Sequence, residues 1–351
     1  MYDMGAIDRR RILLTKAAGL ALAGAASVGA GQACAQADVA DFYRGKTISV
    51  GVGATPGGGY DLDARVMSRH LGKHVPGQPG VAVQNIPGAR GLTHVNRLYA
   101  SARRDGTVMG VVQRGLLTAP WLNPQGVQFD VTKFNWLFST AAEPGVAIMW
   151  HNSGFKTAED IQQREGVIGG AGDSTIIPQI YNFTAGMKFK IVSGYPGTAD
   201  VVLAMERGEV QGIGYYSWSN IAAKNPEWIT ERKINVLFQT GEKRHADLPL
   251  VPLISELATS DMMRQVQDLW LAPLETARPY AMPPDVPEAR LNAIRKAFFE
   301  MLKDPGFRED AKKTGMLIDP RSHTQIEAIL KRVSTAPQNV IDLARKAVTE
   351  Q

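Results

Sequence analysis

The sequence predicts an α/β protein whose sheets are mostly parallel and flanked by helices. Three observations point to this class. Short β-branched or apolar runs alternate with helical runs along most of the chain. Glycine-rich turns at 56–59, 85–91, 170–175 and 194–198 each stand between a strand and the helix after it. The order of strand, glycine loop and helix then recurs in the second half, and a chain of 351 residues is long enough for two domains.

The first 37 residues stand apart from this pattern. Arg9, Arg10, Arg11 and Lys16 form a basic region ahead of an apolar, small-residue stretch at 13–28. Ala33-Cys34-Ala35 and Ala35-Gln36-Ala37 offer small-x-small cleavage sites. Residues 1–37 are therefore expected to be an export signal of the twin-arginine or Sec type. Cys34 is the only cysteine, and Gly31 stands where a lipoprotein signal wants an aliphatic residue. Cleavage after 37 would leave a chain without thiol chemistry. It would leave 314 residues and, because the segment holds four basic and two acidic residues, a net charge of +3. A weak excess with scattered basic residues does not call for nucleic acid. The expectation is an exported monomer with no cofactor and no metal.

The elements follow in order. The β-branched run Thr47–Val52 reads as a buried strand. Pro56-Gly57-Gly58-Gly59 must turn, and Leu62, Val66, Met67 and Leu71 then form one apolar helical stripe. This loop opens onto a helix N-terminus, where unpaired amides and the helix dipole make an anion site. Gly58 is expected to supply both the backbone freedom and the close approach that such a site needs. A strand at 81–84, the turn from Asn85 to Gly91, a helical face of Leu92, Val95, Leu98 and Ala102, and a strand at 108–112 continue the alternation. Residues 113–145, with Trp121, Trp136 and Phe138, read as a packed connection. Strands are then expected at 146–149, 167–169, 189–192, 211–215 and 234–239, with Thr157 capping a helix between the first two. Beyond 243 the chain is proline-rich and closes with apolar stripes at Leu291, Ile294, Phe298, Met301 and at Ile326, Ile329, Leu330, Val333. Those stripes need a sheet face, so the expected division is 38–142 plus 252–351 as one domain and 143–251 as the other.

Several chemistries fail on their residues. Gly51-Val52-Gly53-Ala54-Thr55-Pro56 puts proline where a dinucleotide fingerprint needs its third glycine, and no Gly-Lys-Ser/Thr occurs. Gly172-Asp173-Ser174 has the look of a hydrolase nucleophile block, but Gly-x-Ser-x-Gly is absent and Asp319 and His323 are one residue too far apart for the usual partner pair. Ser174 is read as a helix cap or a ligand contact. His70 and His74 share a helix face but lack the glutamate of a metalloprotease. Asp61 is a helix cap, a brace for the loop or the holder of a bridging water. Trp218 follows a strand and is either core or a pocket wall.

Five short segments carry a family resemblance: Pro56-Gly57-Gly58-Gly59-Tyr60-Asp61, Gln84-Asn85-Ile86-Pro87-Gly88-Ala89, Arg104-Asp105-Gly106-Thr107, Gly194-Tyr195-Pro196-Gly197 and Asp247-Leu248-Pro249-Leu250-Val251-Pro252. In this order the chain resembles the solute receptors of tripartite tricarboxylate transporters, the Bug proteins of proteobacterial periplasms. The resemblance implies a two-domain Venus-flytrap fold that closes on a small carboxylate and hands it to membrane permease subunits. In the family, backbone amides and waters of two loops grip the carboxylate. By position these are Pro56, Gly57, Gly58, Gly59, Tyr60 and Asp61 on one side. On the other are Gly172, Asp173, Ser174, Tyr195, Pro196 and Gly197, with Trp218 as a candidate wall. Gln84, Ile86, Arg90 and Pro196 depart from the common pattern, and Pro196 removes a charge that many relatives carry. Two alternatives accompany this reading: an exported hydrolase using Ser174 or Asp61, and a receptor serving a sensor kinase.

Overall fold

The structure is a computed structural model describing residues 38–142 and 144–348; the export signal expected at 1–37 lies outside the described residues. Two sheets form the framework. The first contains β1 (Thr47–Val52), β2 (Gly80–Asn85), β3 (Val108–Val111), β4 (Asn135–Ser139), β10 (Pro279–Met282) and β11 (Arg321–Ser322), in the order β11-β4-β10-β3-β1-β2. The second contains β5 (Gly145–Trp150), β6 (Gly166–Gly169), β7 (Phe189–Val192), β8 (Gly212–Ser217) and β9 (Ile234–Thr240), in the order β7-β6-β8-β5-β9.

Apart from the two-residue edge strand β11, which is antiparallel to β4, the strands of both sheets are parallel except where the chain crosses between them. β1 runs parallel to β2 and β3, and β6 to β7 and β8. β5, the first strand after the outward crossing, is antiparallel to β8 and β9. β10, the first strand after the return, is antiparallel to β3 and β4. The expected mostly parallel sheets are therefore present, each with one antiparallel strand inserted at a crossing; the first also carries the two-residue β11 antiparallel to β4 at its edge. Three of the strands, β4, β10 and the two-residue β11, lie where the sequence showed none. β4 is buried along nearly its whole length, so its Trp-Leu-Phe run has no alternation to read. β10 is four residues long and starts on a proline, which a strand tolerates at its first position.

Helices cover both faces of each sheet. On the first sheet, α1 (Gly59–Leu71), α8 (Glu288–Met301) and α9 (Pro305–Thr314) bury Met67, Leu71, Phe298 and Phe307 against Ile48, Val50 and Val52. Phe298 stacks on Phe138 of β4 with centroids 3.7 Å apart. The opposite face takes α2 (Leu92–Ser101) and α10 (His323–Ser334). On the second sheet, α3 (Ala158–Gln163) and α4 (Asp173–Ala185) cover one face, and α5 (Thr198–Glu206) and α6 (Trp218–Lys224) the other. Thr157 is the N-cap residue of α3, and the Asp160 carboxylate accepts from the amides of Lys156 and Thr157. Leu62, read as part of the α1 stripe, is exposed, while Asp61 and Asp63 are buried beside it.

Helix α7 (Asp261–Leu271), not foreseen in the proline-rich stretch, packs on α4, and Ile254 and Leu274 join the apolar cluster of the second sheet. The expected division assigns these residues to the first domain. The last helix, α11 (Gln338–Lys346), lies against α7 and against the turn at Ala119–Leu122. Arg345 donates to the Trp121 carbonyl at 2.8 Å, and Trp270 of α7 donates to that of Ala344 at 2.9 Å. An apolar cluster containing Leu122, Ile180, Leu269, Ile329 and Ile341 thus joins elements of both domains. Among the described residues no helix is long and apolar enough to cross a membrane.

Candidate functional site

The site begins at the carboxyl end of β1, where Gly51 and Gly53 have packing duties. A Cβ on Gly51 would lie 2.2 Å from Cε1 of His94, and one on Gly110 of β3 would lie 2.4 Å from its Nε2. The two glycines seat a buried imidazole between α2 and the sheet. Neither ring nitrogen of His94 has a hydrogen-bond partner, and burial pushes its pKa down to about 4. Gly53 likewise admits the close approach of Gly91 and Gln113.

The loop itself is braced from inside. Asp61 in the first turn of α1 is buried. Its Oδ2 accepts from the Gly57 amide at 2.8 Å and from Arg65 Nε at 2.9 Å, and its Oδ1 accepts from Asn85 Nδ2 at 2.8 Å. Asn85 also donates to the Ala54 carbonyl, so the ends of β1 and β2 are tied into one unit. The Arg65 hydrogen bond is the main cause holding the Asp61 pKa down to about 2. Of the roles open to Asp61, bracing the loop is the one its contacts fulfil, and the Gly57 amide is consumed in it. Gly57 has φ +85°, whereas Gly58 is extended at φ −73°, ψ 165°. A Cβ on Gly58 would meet only the Thr55 carbonyl oxygen, at 3.5 Å. The conformational need expected at Gly58 therefore falls on Gly57. By helix geometry the amides of Gly59 and Tyr60 have no intrahelical acceptor.

Tyr60 leads across the cleft. Its hydroxyl accepts from the Arg114 amide at 3.0 Å, and the guanidinium of Arg278 lies 4.4 Å above its ring. A Cβ on Gly59 would come within 3.0 Å of Arg278 Nη2. Arg114 opens the turn at the carboxyl end of β3, and its Nε donates to Asp173 Oδ2 at 3.1 Å, with Nη2 also on that oxygen. Asp173 is the first residue of α4, behind Gly172 at φ +61°. Loops at the carboxyl edges of both sheets are therefore joined through Tyr60, Arg114 and Asp173.

The remaining predicted residues stay within the second domain. Ser174 is buried; its hydroxyl donates to the Ala171 carbonyl at 3.0 Å and accepts from the Ala171 amide at 2.9 Å, which closes the loop on itself. Tyr195 packs on the apolar cluster beneath α5, Pro196 is exposed, and Gly197 is the N-cap residue of α5. Trp218 is buried in the same cluster, its indole N–H on Asp247 Oδ2 at 3.2 Å. The contact across the cleft is made by Asp173 rather than by Tyr195–Gly197. Pro56 is exposed at the tip of the first loop. His70 and His74 each face a carboxylate of the α9 region, Asp310 at 2.8 Å and Asp304 at 3.1 Å, and so staple α1 to α9. Among the described residues no group of three or more His, Cys, Asp and Glu could hold a metal ion.

A cavity of about 910 Å³ is lined by Ala142, Pro144, Thr240 and Glu275 among others and includes none of the predicted residues. Its charges are largely paired with one another: Arg332 with Asp268 and Glu275, Arg321 with Asp319, Arg264 with Asp261. Sequence reasoning missed Arg114 and Arg278. Arg114 stands just past the carboxyl end of a strand, where ligands of α/β sheets bind, and that position was its one available signal. Arg278 precedes β10, an unpredicted strand, and had none.

No family model matches the chain. It is 26% identical over 321 residues to the "UPF0065 protein in gbd 5'region" of Cupriavidus necator, covering 88% of this chain and 89% of that protein. A TctC solute binding protein from Polaromonas superposes with a TM-score of 0.67 at 17% identity, covering 88% of this chain and all of the other. The periplasmic binding protein BugD gives 0.57 at 20% identity, over 87% and 98% of the two chains. MatC from Rhodopseudomonas palustris, solved with bound malate, gives 0.56 at 18% identity, over 85% and 99%. The chain therefore has the two-domain fold of periplasmic solute-binding proteins, and the TctC and Bug receptors that its loop motifs resemble are among the proteins that share it.

Proposed function

We propose that this chain is an exported receptor that takes a small carboxylate into the cleft between its domains and delivers it to a tripartite tricarboxylate-type permease. One observation carries the reading: Tyr60, at the N-terminus of α1, and Asp173, at that of α4, meet on Arg114. Two helix N-termini with glycine loops at a common cleft suit a carboxylate, because backbone donors and dipoles both favour negative charge. The malate bound to a protein of the same fold supports the class of ligand.

The proposed contacts are Pro56, Gly57, Gly58, Gly59, Tyr60 and Asp61 from the first domain and Gly172, Asp173, Ser174, Tyr195, Pro196 and Gly197 from the second, with Trp218 behind them. Gly57 and Asp61 act by bracing the loop, through the Gly57 amide on the Asp61 carboxylate, and Ser174 by closing its own. The hydrolase alternative is disfavoured because both hydrogen-bonding roles of the Ser174 hydroxyl are taken by Ala171. We place the domain boundary so that α7 and the segment from Ile254 to Ala277 belong with the second sheet.

Calorimetry against mono-, di- and tricarboxylates tests the reading. Saturable binding of at least one acid is expected, weakened by Gly59→Val. A folded protein that binds none of them overturns it. Mass spectrometry of the periplasmic fraction should find a terminus near residue 38, and an intact Met1 there would rule out cleavage of the expected signal.

A further inference from the structure

We infer that the ligand carries a hydrogen-bond donor, a hydroxyl or an ammonium, on the carbon next to its carboxylate, with Arg114 receiving the carboxylate and Asp173 the donor. This rests on the receptor reading and narrows it to 2-hydroxy and 2-amino acids. The Arg114 side chain is only 16% exposed, while that of Asp173 is 49% exposed. Arg114 is anchored as well through its amide on Tyr60. The cation is thus the more buried partner, held in the first domain, and the Asp173 carboxylate is the more exposed one, lying on Arg114 where a ligand carboxylate would lie. An incoming carboxylate takes over guanidinium donors that Asp173 now uses. Asp173 remains at the head of α4, a few ångströms from the new anion. Two carboxylates drawn to one guanidinium repel each other, and a proton donor on the ligand facing Asp173 relieves that repulsion. Because Arg114 and Asp173 are in direct contact, at 3.1 Å, the donor must be within one or two bonds of the ligand carboxylate. An acid without that donor leaves Asp173 displaced and unpaired, and a site with an unpaired polar group discriminates strongly.

Matched acids test this: lactate and alanine against propionate, malate and aspartate against succinate, titrated by calorimetry into the parent and into Asp173→Ala, each confirmed folded by circular dichroism. In the parent, the donor-bearing member of each pair that binds should bind roughly ten- to a hundredfold more tightly. In Asp173→Ala the ratio should fall to near one. Equal binding of matched acids by the parent, or a preference that persists in Asp173→Ala, overturns the inference and leaves the receptor reading intact. Binding by none of the acids overturns the inference, and the receptor reading then rests on the wider panel that includes tricarboxylates.

Discussion

The hydroxyl of Tyr280 donates to Oδ1 of Asp63 at 2.7 Å, joining the helix behind the glycine loop to the strand by which the chain returns to the first domain. Thr140, at the outward crossing, donates to the other carboxylate oxygen at 2.8 Å. One buried carboxylate thus touches both crossings. Burial is the main reason its pKa rises, to about 6, against the opposing pull of those two donors and the Arg278 charge.

A raised carboxyl pKa means that the folded state holds its proton more tightly than the unfolded state. Its contribution to stability is complete below about pH 4 and is lost as pH rises through about 6. A shift of this size corresponds to about 3 kcal/mol. Urea unfolding at pH 4.5 and 7.5 should show the parent losing stability relative to Asp63→Asn on going to the higher pH. Parallel pH profiles for the two proteins would exclude a titrating Asp63.

Asp61 should behave oppositely. Its folded pKa is depressed to about 2, so its contribution is present above about pH 4 and lost as pH falls toward 2. Asp61→Asn should be less stable than the parent at pH 7, with the difference closing in acid. Acid titration followed by circular dichroism measures this. A gap that stays constant down to pH 2 would show that the carboxylate is not held as described.

The glycine loop makes a paired prediction. Gly57→Val places a β-branched residue at φ +85° and should cost roughly 1–3 kcal/mol. Gly58→Ala, in an extended conformation with only an ordinary contact at 3.5 Å, should be nearly neutral in stability. Thermal unfolding of both variants decides the matter, and the reverse ranking would refute the loop geometry.

How much of this was legible in the sequence depended on range. Strand and helix alternation exposed β1 to β3 and β5 to β9, because those segments punctuate themselves with glycine. β4 and β10 escaped because one is buried on both faces and the other is held by its neighbours rather than by its own four residues. The loops were legible as candidate anion sites because glycine and a helix start are local signals. Arg114 was not, because its importance comes from Asp173, 59 residues away in the chain. Asp63 carried no signal of its own in the sequence, and is buried because two distant crossings converge on it.

The seating of His94 offers a test of packing alone. Gly51→Ala forces a methyl group to within 2.2 Å of the ring and should cost roughly 1–3 kcal/mol. Combining it with His94→Ala should recover part of that loss, a coupling that only direct contact produces. Denaturant midpoints of the two single variants and the double variant give the coupling energy, and strictly additive effects would place the ring elsewhere.

Setting aside the edge strand β11, the two sheets have the same strand order, so β1 corresponds to β6, β3 to β8, and the inserted β10 to β5. The loops heading α1 and α4 are then equivalent positions of an internal near-repeat, and each delivers the positive end of a thirteen-residue helix to the same cleft. Two like poles brought together act as a weak electrostatic spring. With nothing between them they resist closure, and an anion between them turns the same force into a clasp. Added salt should soften that spring, so the resting gape of the empty protein ought to narrow with ionic strength even where no solute is bound.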